Sequence, residues 1–144
     1  MDRIIQAADN RIRISRLTVV ELPSVFAIKV RTEFINPDDA RVLLRQFRQD
    51  IVSRKFEVFA MRETEFAGAE RLIERYAFDL RLRALDALQI AVALSLKSHA
   101  LVDYFVAADK ILCQVAALEG FSVVNPGTVR PWSVTPTYNI LYSP

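Results

Sequence analysis

The sequence predicts an α/β fold with a mainly parallel sheet, and three observations lead there. Short strand-like segments alternate with longer helical ones between residues 11 and 124. The segment RALDALQIAVALSL is apolar almost all round, the pattern of a helix buried on most sides. The chain of 144 residues, 52% hydrophobic and 25% charged, is long enough for one continuous core and too apolar for a disordered tail.

The elements follow in order. Residues 2–9 (DRIIQAAD) read as a short helix or the end of one. Residues 11–17 (RIRISRL) alternate, so they read as a strand with Ile12, Ile14 and Leu17 facing inward. Thr18 opens a helix to about Thr32, with Pro23 either in the first turn of a late-starting helix or at a kink. Asn36-Pro37-Asp38-Asp39 is a helix start, with a cap residue, a proline at the first position and acids at the positive end of the dipole. That helix carries Val42, Leu43, Phe47 and Ile51 and ends near Ser53.

Residues 55–60 (KFEVFA) alternate as a second strand. An amphipathic helix over 63–77 presents Phe66, Ala69, Leu72, Ile73 and Tyr76, and the buried helix follows a short link. Residues 104–108 (YFVAA) form a short apolar strand, Asp109 caps the next helix, and Gly120 ends it in the left-handed region. Residues 121–124 form a further strand. The tail holds Pro126, Pro131, Pro136 and Pro144. It divides the chain into a domain over 1–126 and an extended arm over 127–144.

Composition removes several kinds of chemistry. The only cysteine is Cys113, so no disulfide forms within the chain, and a reducing cytoplasm is the expected location. The longest apolar stretch, near 84–96, is interrupted by Asp86 and Gln89 and is too short and too polar to span a bilayer. The opening residues predict no secretory leader. A formal charge of +2 is no basic coat for nonspecific nucleic-acid binding. Three glycines exclude a glycine-rich phosphate loop, and one histidine with one cysteine excludes a zinc site built from those residues. Carboxylates remain.

Three acids share one address. Glu21 follows the first strand by about a helical turn, Asp109 directly follows the strand at 104–108, and Asp86 lies in the first turn of the buried helix. In a parallel sheet the carboxyl ends of strands and the starts of the following helices form one rim, where ligands bind. Clustered carboxylates need a cation, and oxygen-only ligands suit Mg²⁺ or Mn²⁺. Each acid also has a plainer reading. Thr18-Val19-Val20-Glu21 fits a capping box, Asp109 a helix N-cap, and Asp86 either dipole compensation or the partner of Arg81 or Arg83.

Among the basic residues, Arg16 lies nearest the rim and is the candidate contact for a substrate phosphate or a partner's carboxylate. Arg41, Arg45 and Arg48 share one helix face, which reads as solvated. His99 reads as a partner for a helix C-terminus and Cys113 as a small core residue.

SRLTVVEL at 15–22, LRALDALQIAVAL at 82–94, and YFVAADKIL with ALEGFSVVNP at 104–126 resemble the PIN-domain family, in particular VapC-like toxins. The resemblance covers roughly residues 10–126. It implies a three-layer α/β/α fold and a metal-dependent endoribonuclease that cuts a phosphodiester with Mg²⁺ or Mn²⁺. It also implies RNA as substrate, a small antitoxin as partner, and a homodimer. By position, Glu21 matches the acid of the TxxE motif, Asp86 that of the LDA motif, and Asp109 the acid before the last helix.

One departure stands out. Such proteins begin with a central strand of the form LDTSAL, whose acid is a principal ligand, whereas this chain opens with MDRIIQAAD. Asp2 and Asp9 follow no strand and do not match that acid. Activity is therefore expected to be weakened or lost. The alternative is a degenerate relative that binds a partner protein or RNA. The strand-like residues 137–142 (TYNILY) are a candidate to fill the vacant slot in the sheet.

Overall fold

The computed structural model describes residues 11–127 and 139–142. Its elements are β1 (Arg11–Ser15), α1 (Arg16–Arg31), α2 (Pro37–Val52), β2 (Phe56–Phe59), α3 (Glu63–Tyr76) and α4 (Ala84–Ser98). They are followed by β3 (Tyr104–Val106), α5 (Lys110–Leu118), β4 (Ser122–Val124) and β5 (Asn139–Tyr142). The expected helix at 2–9 lies outside the described residues.

The five strands form one parallel sheet in the order β2-β1-β5-β3-β4. β5, drawn from the tail, lies between β1 and β3. Arg13 pairs in register with Leu141, and Leu141 with Phe105. The tail therefore fills the central slot within its own chain, and residues 139–142 are an integral strand of the sheet.

Register partners in a sheet point to the same side, and this separates two cores. Ile12, Ile14 and Phe56 face one side and pack with Phe47 of α2, Val19 and Leu22 of α1, and Ile51. Phe105 and Leu141 face the other, against Ala69 and Leu72 of α3, Ile90 and Ala93 of α4, and Leu112 and Val115 of α5. The sheet is thus the middle layer of an α/β/α sandwich. Coverage of both faces explains why Arg13, which alternation along β1 would send to solvent, is buried. Its guanidinium donates to the Leu101 carbonyl at 2.6 Å and pairs with Glu57 at 3.0 Å.

Several boundaries differ from expectation. The strand expected over 104–108 ends at Val106, so Ala107 and Ala108 separate it from Asp109, and the strands expected over 55–60 and 121–124 span Phe56–Phe59 and Ser122–Val124. The first strand stops at Ser15, not Leu17, because the Ser15 side chain caps α1 by accepting the Thr18 N–H at 3.2 Å. α1 consequently starts at Arg16 and Pro23 lies inside it, where the ring removes one N–H from the helix ladder. The start of α2 is as expected, with the Asn36 side chain accepting the Asp39 N–H at 2.8 Å. α5 ends on Gly120 at φ 81°, with Gly120 N–H bonded to Ala117 and Phe121 N–H to Ala116, a Schellman stop.

Candidate functional site

Ser15 ends β1 and is fully buried. Its Oγ donates to Gln89 Oε1 at 2.7 Å. The Gln89 amide turns its Nε2 toward α1, donating to Thr18 Oγ1 at 3.0 Å and to Glu21 Oε2 at 2.6 Å. Ser15, Thr18 and Gln89 are each at most 1% exposed, so this is a closed polar network inside the molecule. Its open end is the Glu21 carboxylate.

Glu21 therefore belongs to no capping box. The helix begins before Thr18, which removes the geometry that box requires, and the carboxylate reaches across to α4 instead. Burial pushes the Glu21 pKa upward; the Gln89 hydrogen bond opposes this, the charge of Asp86 adds to it, and Arg83 offsets it in part.

Asp86 occupies the first turn of α4, where the helix dipole favours a negative charge. It is buried, and Arg83 at the N-cap holds it with Nε–Oδ2 at 2.9 Å and Nη2–Oδ1 at 3.4 Å. Asp109 caps α5: its Oδ1 accepts the Leu112 N–H at 2.9 Å, while Oδ2 lies 4.0 Å from Arg83 Nη2. Glu21, Asp86 and Asp109 all raise the pKa of Arg83, Asp86 most strongly, through its hydrogen bond and charge. Asp86 and Asp109 thus meet at one guanidinium on the rim, and Glu21 is near enough for its charge to act there. Both plainer readings of Asp86 and Asp109 are realised, yet each acid also keeps an oxygen on the shared cation.

Arg16 opens α1 on the same rim and is exposed. Among the described residues it makes no ion pair with these acids. β5 supplies no acid, since Asn139, Ile140, Leu141 and Tyr142 occupy the central slot. Asp2 and Asp9 lie outside the described residues. Cys113 donates its thiol to the Ala107 carbonyl at 3.2 Å, and burial pushes its pKa up, so it is no reactive nucleophile. His99 caps the C-terminus of α4, with Nδ1 2.9 Å from the Ser95 carbonyl.

The PIN-domain family model matches residues 1–118 of this chain. The chain belongs to the PIN-domain family. Comparison with curated proteins gives no match. Comparison with solved structures gives none either.

PIN domains are a nuclease-type family and generally use divalent metal ions, so the donor set can be tested against that requirement. Among the described residues, no three acids, histidines or cysteines stand close enough together to hold a metal ion as they lie. The chemistry of the rim nonetheless fits a hard cation: its donors are carboxylate oxygens, and three of them face a single positive charge. The Arg83 side chain is 73% exposed, against 11% for that of Asp86.

Sequence reasoning missed the network that holds Glu21. One signal was present: Gln89 is a polar residue in a mostly apolar helix, three positions after Asp86. A glutamine fully buried there needs partners for both ends of its amide. Ser15 and Thr18 supply them, but nothing local in the sequence pairs residues so far apart.

Proposed function

We propose that this PIN-domain chain is a metal-dependent endoribonuclease of the VapC-like toxin type, with activity weakened by the lack of an acid on its central strand. The observation that supports the reading is that Asp86 and Asp109, from two separate elements, pair with one cation whose charge Glu21, on a third, also feels. In this reading those three residues hold Mg²⁺ or Mn²⁺. The ion would supply positive charge to a phosphodiester under attack and make water easier to deprotonate.

The chain's own residues do the rest. The Ser15–Gln89 network fixes the Glu21 carboxylate, and the helix starts of α4 and α5 fix Asp86 and Asp109. Arg16, exposed at the start of α1, takes a phosphate oxygen of the RNA backbone. An antitoxin partner and self-association belong to the same reading. Supporting a macromolecular partner, α1 and α2 carry exposed Val20, Ile28, Val42 and Leu43, with exposed Phe34 between the helices. The lone Cys113 suits a reducing cytoplasm. Among the described residues, no helix is long and apolar enough to cross a membrane.

A second reading, a PIN-like module that binds RNA or a partner protein without cutting, is favoured by the acid-free strand β5. Titration with Mn²⁺, followed by incubation with RNA, separates the two. The nuclease reading expects binding and cleavage that Asp86→Asn abolishes. Binding of RNA with no metal uptake and no cleavage overturns it in favour of the second.

A further inference from the structure

We infer that Arg83 is a built-in competitor for the metal, a counter-ion that closes the acidic rim when no divalent cation is bound and must withdraw when one binds. The inference rests on the metal reading proposed above and adds a gate to it.

Three observations meet at this residue. The guanidinium is forked onto both oxygens of Asp86, at 2.9 and 3.4 Å, and lies 4.0 Å from Asp109. It also feels the charge of Glu21, whose carboxylate is held by Gln89. The two partners differ in freedom: the Asp86 side chain is 11% exposed and the Arg83 side chain 73%. The acid is fixed in the helix and the cation is on a long, solvated stem. A buried carboxylate without a partner is costly, so Asp86 needs a positive charge in either state. Arg83 supplies it in one and the ion in the other.

Competition of this kind has a measurable sign. A residue that stabilises the metal-free state lowers the apparent affinity for metal, by the fraction of molecules in which the site is open. Replacing Arg83 therefore tightens metal binding, although the substitution removes a favourable contact. A merely structural role for Arg83 gives the opposite, since loosening the rim weakens binding.

The test is Mn²⁺ binding by calorimetry, with thermal melting in parallel, for the full chain and for Arg83→Ala and Arg83→Lys. The expected result is that Arg83→Ala melts below the parent without metal, binds Mn²⁺ roughly five- to tenfold more tightly, and gains more in melting temperature on adding it. Arg83→Lys, which keeps the charge but not the fork, falls between them and serves if the alanine variant does not fold. Parent and variants that bind Mn²⁺ equally, or variants that bind it more weakly, overturn the gate and leave the metal reading standing. No uptake by any of the three overturns both.

Discussion

Gln89 Nε2 on α4 donates to Glu21 Oε2 on α1 at 2.6 Å, across the boundary between the two elements. The same amide also accepts from Ser15 and donates to Thr18. One side chain therefore satisfies two buried hydroxyls and aims a carboxylate. Gln89→Leu keeps the volume but leaves those hydroxyls only the Thr18 N–H and a long 3.3 Å contact with each other, at a cost of roughly 1–3 kcal/mol in chemical denaturation. An unchanged midpoint would show that the hydroxyls satisfy each other.

The raised pKa of Glu21 has a defined consequence for stability. Burial makes the folded protein hold this proton more tightly than the unfolded chain does. Stability is therefore lost as pH rises from the ordinary glutamate value of 4.5 through the raised one, and it stays lower above. Without metal, Glu21→Gln is expected to melt above the parent at about pH 7 and level with it well below the ordinary glutamate pKa. Added Mn²⁺ reverses the order at neutral pH if Glu21 is a ligand. A variant that melts lower at neutral pH without metal would mean that Gln89 and Arg83 outweigh burial.

Gly120 is required by backbone geometry. Its φ of 81° lies in the left-handed region, and an added Cβ would stand 3.0 Å from Lys97 Nζ. That ammonium donates to the Gly120 carbonyl at 2.6 Å and lies over the Phe121 ring. Gly120→Ala is expected to cost about 1 kcal/mol, read as a lower denaturation midpoint, and Lys97 gives way only by loosening that contact.

Leu141 tests the central strand. It is fully buried, between Arg13 of β1 and Phe105 of β3, and packs in the core beneath α4. Leu141→Ala is expected to cost roughly 2–5 kcal/mol, the range for a large buried aliphatic. A loss within error of zero would show that β5 does not complete the sheet in solution.

Much of this fold was legible because its signals are local. The Asn36 cap, the Gly120 stop and the apolar helix around Ile90 each follow from a few neighbouring residues. The rim was legible for the same reason: acids just after strands or at helix starts land at one end of a parallel sheet. What distinguishes the site was not legible. Glu21 fits a capping box as written, and only the start of α1 at Arg16 frees it for Gln89. Arg83 was visible as a partner for Asp86, but its second approach, to Asp109, depends on tertiary structure. The burial of Arg13 depends on helices covering both faces of β1, which alternation alone does not reveal.

The position of β5 also bears on how the molecule is made. Synthesis delivers β1 and β2 first and β3 and β4 later, and the strand that joins the two pairs emerges after all of them. Until it does, β1 and β3 each offer a naked edge of amides and carbonyls, side by side and unable to finish one another. The pairing that closes them links residues from opposite parts of the chain, a slow kind of contact to form. Folding of the whole sheet therefore waits on the segment that comes last of the five strands. A partly folded molecule without Asn139–Tyr142 in place presents two unpaired strand edges, the kind of surface on which chains aggregate.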